Sequence, residues 1–133
     1  MNQFLIDNIL LLVIILVCVV TLAAPYINRR RFGEVNNASA TDLINHQNAQ
    51  IVDLRDPAEF KKECIARSVN IPADRIHQEL DKIDKAKPVL LVDNDGRRSR
   101  MASTLLRGMG YQQVYVLQGG LNAWRRSGTP FSR

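Results

Sequence analysis

Val89-Leu90-Leu91-Val92-Asp93-Asn94-Asp95-Gly96-Arg97-Arg98-Ser99 changes character twice within a short stretch. Val89–Val92 is an apolar run bounded by turn residues, the signature of a strand buried on both faces. A polar turn follows, and from Ser99 to Arg107 the pattern is helical until Gly108 and Gly110, either of which can take a left-handed cap. Strand, loop and helix in this order are the repeating unit of a parallel sheet. Sites in such sheets form at the carboxyl ends of the strands, beside helix N-termini. Residues 93–98 are therefore where chemistry is expected.

The same alternation extends outward. Residues 51–54, 69–71 and Val114–Leu117 are further candidate strands, and Pro57–Lys62, 76–83 and 121–126 are candidate helices. Asp56-Pro57-Ala58-Glu59 supplies an Asp cap, Pro at the first helical position and Glu at the third. The pattern predicts an α/β domain with helices on both faces of the sheet.

The N-terminal part differs. Residues 9–24 contain nothing more polar than Cys18 and Thr21, and all 18 Lys and Arg lie at Arg29 or beyond. Extended back to Phe4, with Asp7 and Asn8 at headgroup level, residues 4–24 would form a helix of about 30 Å, the thickness of a bilayer core. Pro25 ends the run, Tyr26 suits an interface, and Arg29, Arg30 and Arg31 follow. A cleaved signal peptide and a buried core helix are the rival readings. The first lacks a basic leading region, and the second requires a larger protein. The expected organisation is an anchor over residues 1–28, a basic juxtamembrane linker over 29–38 and a domain over 39–133. By the positive-inside rule the domain faces the cytoplasm of a single-pass plasma-membrane protein, with the N-terminus outside and the lipid bilayer as its first partner.

Beyond residue 31 there are fifteen Lys and Arg against twelve Asp and Glu, so the overall net charge of +5 falls to +3. With no basic stripe and no stacking aromatics, nucleic acid is not an expected partner. Cys18 and Cys64 sit in parts of different character and imply no disulfide framework. With only His46 and His77, far apart and both read as surface residues, neither a metal site nor another cofactor is expected.

Five motifs then stand in order: Ile51-Val52-Asp53-Leu54-Arg55, Glu59-Phe60, Asn70-Ile71-Pro72, Gly96-Arg97-Arg98-Ser99 and Gly119-Gly120-Leu121-Asn122-Ala123-Trp124. Together they resemble a single-domain rhodanese along residues 35–133. The resemblance implies a three-layer α/β/α domain around a parallel sheet of about five strands. It also implies an active-site loop opening on a cysteine that carries sulfur as a persulfide. With Gly96 fixing the register, that cysteine position is Asp93. The loop Asp93, Asn94, Asp95, Gly96, Arg97, Arg98 is thus degenerate, and no catalytic residue is assigned in it.

A carboxylate cannot form a persulfide, and Asp93 with Asp95 disfavours a small anionic donor. Asp93 is expected on the floor of a cradle of amides from Asn94 to Ser99, as a built-in anion, with Asp95 facing solvent; the rival is a drifted loop with Asp93 exposed. Cys64, in Glu63-Cys64-Ile65, is read as a structural cysteine, or as the alternative thiol favoured by nearby Lys61, Lys62 and Arg67. Glu63 and Arg67 replace two glycines of the resembled pattern, leaving the backbone there open. Asp53 and Arg55 are expected to hold loops by charge-assisted hydrogen bonds, and Trp124 to lie in the core. Arg97, Arg98 and Arg100 form a basic cluster, read as a solvated helix start or, since cations there oppose the helix dipole, as a surface for an acidic partner. The expected function is a membrane-anchored rhodanese-like module that lacks sulfurtransferase activity and serves binding or scaffolding of a protein partner. The alternative is a sulfurtransferase or sulfur carrier using Cys64 or a partner's persulfide.

Overall fold

The computed structural model describes residues 2–131, without the side chains of 25–32. The arginine triplet falls among those side chains and lies outside the described residues. Two units separate, Met1–Arg31 and Phe32–Arg133.

In the first unit, helix α1 (Asn2–Asp7) is divided from helix α2 (Ile9–Phe32) by a turn at Asn8, whose side-chain amide donates to the Phe4 carbonyl at 2.8 Å. The large side chains from Ile9 to Leu22 are exposed around the helix. The single span expected over 4–24 is not found as one helix. The break at Asn8 is slight, since Asn8 N–H still donates to the Phe4 carbonyl and Leu12 N–H to that of Asn8. The apolar described part of α2, residues 9–24, nevertheless measures about 24 Å against the ~30 Å of a bilayer core. Among the described residues no helix is long and apolar enough to cross a membrane.

The second unit runs β1 (Glu34–Val35), α3 (Asn37–His46), β2 (Gln50–Asp53), α4 (Pro57–Lys62), β3 (Val69–Asn70), β4 (Val89–Val92), α5 (Arg97–Gly108), β5 (Val114–Leu117) and α6 (Gly120–Arg126). The five strands form one parallel sheet in the order β1-β5-β4-β2-β3. Register places Asp53 beside Val92 and Asn70 beside Asp53. Alternation along the strands builds two cores. Val52, Val89 and Leu91 pack with Ala102 and Leu106 of α5, while Ile51, Leu90 and Val92 pack with Ala40 of α3 and with Leu121 and Trp124 of α6. Helices therefore cover both faces, as the sequence pattern requires.

Three expectations are corrected. Residues 34–38, read as linker, contribute β1 and the start of α3. Asn36 caps that helix, its side-chain oxygen accepting the Ser39 N–H at 2.8 Å. Residues 76–83 form no α-helix. Only 3-10 turns at Ala73–Arg75 and Leu80–Lys82 occur, closed by bonds such as Gln78 N–H to Arg75 O and Ile83 N–H to Leu80 O. Finally, α5 begins at Arg97 rather than near Ser99.

Arg67 holds a left-handed backbone, φ +66°, which a Cβ makes unfavourable; Glu63, at φ −160°, is extended and needs no glycine. Arg67→Gly is therefore expected to stabilise the protein by about 0.5–1 kcal/mol, the relief of left-handed strain exceeding the entropy that glycine adds to the unfolded chain. The shift in denaturant midpoint measures it; a lower midpoint would contradict the strain.

Candidate functional site

Strand β4 delivers Asp93 to the carboxyl edge of the sheet, where the chain turns sharply into α5. Gly96 makes that turn at φ +98°, a conformation open to glycine and rarely to other residues. The reversal aims successive N–H groups at one point. Asp93 Oδ1 accepts the Gly96 N–H at 2.8 Å and the Ser99 hydroxyl at 2.7 Å, and Oδ2 accepts the Arg98 N–H at 2.9 Å. Asp93 is 2% exposed, so its carboxylate is a buried anion held by three donors at the positive end of α5. Asp95 faces solvent and accepts the Arg97 N–H at 3.0 Å. Both placements match the cradle expected from the sequence.

The loop is fixed from behind by α6. Leu121 N–H donates to the Asp93 carbonyl at 2.7 Å and Asn122 N–H to that of Asn94 at 3.0 Å. This approach requires Gly120, where a Cβ would stand 2.5 Å from the Asn94 carbonyl. The Gly119-Gly120 motif thus positions the cradle as well as starting a helix.

On the other side lies a buried ion pair. Arg55 Nε donates to Asp53 Oδ1 at 3.0 Å and Nη2 to Oδ2 at 2.9 Å, both residues being almost fully buried. Arg55 Nη2 also donates to the Glu63 carbonyl at 2.6 Å, and Asn70 Nδ2 donates to the carbonyls of Asp53 and Arg55. Burial works against the guanidinium charge. The hydrogen bond and charge of Asp53, with the charges of Glu59 and Glu63, outweigh it and hold Arg55 above its ordinary pKa. Arg55 thus ties the end of β2 to the segment before Cys64, as expected of a structural role, while Asn70 ties β3 to the same turn.

A pocket of about 240 Å³ remains over the loop, lined by Arg55, Asp93, Asn94, Asp95, Arg97 and Arg98. Cys64 does not line it; this thiol is half-buried in the neighbouring segment. Arg100 stays beside Arg97 and Arg98 on one surface, but its Nη1 is engaged by Glu34 Oε1 at 3.1 Å, whereas Arg97 and Arg98 are exposed. Sequence reasoning missed Glu34 because its strand was read as linker. His46 and His77 are exposed and Trp124 is buried, as expected. Among the described residues no cluster of His, Cys, Asp or Glu is arranged to hold a metal.

Comparison with known proteins follows the same outline. The family model described as Rhodanese-like domain matches residues 36–127. The protein YibN of Escherichia coli (strain K12) is 36% identical over 103 residues, 74% of this chain and 71% of that one. The thiosulfate sulfurtransferase GlpE of Actinobacillus pleuropneumoniae is 28% identical over 99 residues, 74% of this chain and 92% of its own length. A crystal structure of a Lactobacillus plantarum protein superposes with a TM-score of 0.70 at 23% identity, covering 86% of this chain and 96% of that one, a likeness of fold.

Removing the Asp93 carboxylate leaves buried donors without partners. Asp93→Ala is expected to lower stability by about 1–3 kcal/mol. Asp93→Asn, which keeps an acceptor oxygen but loses the charge, should fall between the two. Equal denaturation midpoints for all three proteins would show that the three bonds do not hold the loop.

Proposed function

The chain belongs to the rhodanese-like family, and on that premise we propose that it is a member without sulfurtransferase activity of its own, serving as a binding or scaffold module. One observation carries the reading: the carboxylate of Asp93 fills the amide cradle in which family resemblance places a persulfide cysteine. Sulfur transfer of the family kind needs a thiolate that attacks the outer sulfur and then carries it. Asp93 offers oxygen in place of sulfur, and its charge already saturates the donors that an incoming anion would use. Its neighbour Asp95 adds a second negative charge at the rim.

The recognition surface in this reading is the rim of the cradle. Arg97 and Arg98 project from the first turn of α5 without a salt bridge among the described residues, next to Met101, which is 76% exposed. Two cations beside an exposed thioether suit an acidic, partly apolar segment of a protein partner. The alternative enzyme would use Cys64 or accept a persulfide from another protein. Its thiol stands outside the cradle pocket, which is the reason the binding reading is preferred.

The apolar N-terminal segment is proposed to tether the domain to the plasma membrane, with the domain on the cytoplasmic side. The support is that the large side chains from Ile9 to Leu22 are exposed around α2 and that lysine and arginine are confined to Arg29 and beyond, after this apolar stretch. After alkaline extraction of membranes the protein should remain in the pellet, and protease added to intact cells should leave the domain uncut. Recovery in the soluble fraction, or digestion from outside, would reject the tether or its orientation respectively.

Thiosulfate treatment of the purified chain separates the functional readings. The wild type is expected to gain no sulfur by mass and to produce no thiocyanate from cyanide. Cys64→Ser is expected to change stability by less than about 2 kcal/mol, the scale of one unpartnered buried hydroxyl. A persulfide on Cys64, lost in Cys64→Ser, would instead establish the enzyme.

A further inference from the structure

The opposite edge of the sheet, at the N-terminal ends of the strands, carries a second pocket. Strand β3 pairs with Val52 and Asp53 of β2 but not with Gln50 or Ile51, so the sheet edge is uncovered beside those two residues. A pocket of about 190 Å³ opens there. Its apolar lining includes Ile44, Ile51 and Val69, its basic lining is Arg67, Lys82 and Lys87, and no Asp or Glu lines it. Lys82 is drawn to Glu79 at 2.7 Å, whereas Arg67 and Lys87 enter no ion pair among the described residues.

Arg67 adds a second line of argument. Its left-handed backbone favours glycine, yet the position holds a long cationic side chain that borders this pocket. A residue kept in a disfavoured conformation where its side chain lines a cavity points to a task for that side chain. We propose that this pocket binds a small organic anion. Its acidic group would be met by Arg67 and Lys87, and its apolar body would rest on Ile44, Ile51 and Val69. Apolar lining argues against inorganic phosphate as the best ligand, and the unopposed cations argue against a neutral one. The volume is below the roughly 300–1,000 Å³ of drug-sized sites, which restricts the ligand to a short aliphatic or single-ring acid. This site is separate from the Asp93 cradle and does not depend on the reading given to it.

Methyl-resolved NMR of the full chain, titrated with benzoate, hexanoate, benzamide or inorganic phosphate, tests the proposal. At least one of the two carboxylates should produce saturable shifts in the Ile51 and Val69 methyls. Benzamide and phosphate should bind at least tenfold more weakly. The double variant Arg67→Gly/Lys87→Gln should also weaken carboxylate binding at least tenfold. A denaturant midpoint of that variant no lower than wild type would show that the loss is not unfolding; were it lower, Lys87→Gln alone, at wild-type stability, must show the weakening. The proposal is overturned if neither carboxylate gives saturable shifts, if benzamide or phosphate binds as well, or if the folded variants bind as tightly as the wild type.

Discussion

The Asp93 carboxylate is the constraint around which one end of this domain is arranged. A parallel sheet that hands its chain to a helix at the carboxyl edge leaves N–H groups without partners. Elsewhere such groups take a ligand; here the strand supplies the anion itself, two atoms beyond its own backbone. Gly96 has to turn left-handed so that its N–H and that of Arg98 converge, and Gly120 has to lack a Cβ so that α6 can pin the loop carbonyls. A free ligand would surrender translational freedom to occupy this place, whereas a side chain gives up only its rotamers. The tethered anion therefore holds an advantage over any weakly bound competitor of equal charge.

Beside it, the Asp53–Arg55 pair solves a different problem. Burying either charge alone is unfavourable, and two together gain little over an apolar pair unless their remaining hydrogen-bonding capacity is used. Here it is used. Asp53 receives the Arg55 side chain through both oxygens, and Arg55 also reaches the Glu63 carbonyl. The consequence is positional: the turn leaving β2 and the segment entering Cys64 share one guanidinium. That segment begins with an extended Glu63 and ends with a strained Arg67, so its course is fixed by the ion pair and by core burial of Ile65 more than by local preference.

Much of this was legible in the sequence. The runs of aliphatic residues at 51–54, Val89–Val92 and Val114–Leu117 are too short and too continuous for surface helices, and each is a strand within one residue of its expected bounds. The cradle was legible because Gly96 and Ser99 fix the spacing from Asp93. What escaped has a common cause, namely that tertiary contacts decided it. Glu34 and Val35 pair with Val116 and Leu117, and nothing in two residues announces a strand. Asn36-Asn37-Ala38-Ser39 reads as linker because a helix cap and a linker draw on the same polar residues. Ile76, Leu80 and Ile83 repeat at helical spacing, yet the Tyr111 hydroxyl lies within bonding distance of the Leu80 and Ile83 carbonyls, and the segment settles into separate turns over the core.

The two ends of the sheet also differ in how charge is balanced. At the carboxyl end, positive potential from the helix start is met inside the fold by Asp93, and Arg100 is met by Glu34. The amino end around Arg67 and Lys87 has no such internal acid along its lining. A domain of net charge +3 does not need to leave its cations in any particular place for solubility. Exposed cations thus stand at both ends: Arg97 and Arg98 on the rim of a cradle whose amides Asp93 already occupies, and Arg67 and Lys87 beside a pocket with no acid in its lining. The cradle amides are taken up by Asp93 and act as a structural knot. A small anion that seeks a cavity therefore finds cations unengaged among the described residues at the amino edge, while the rim arginines are left for the surface of a larger acidic partner.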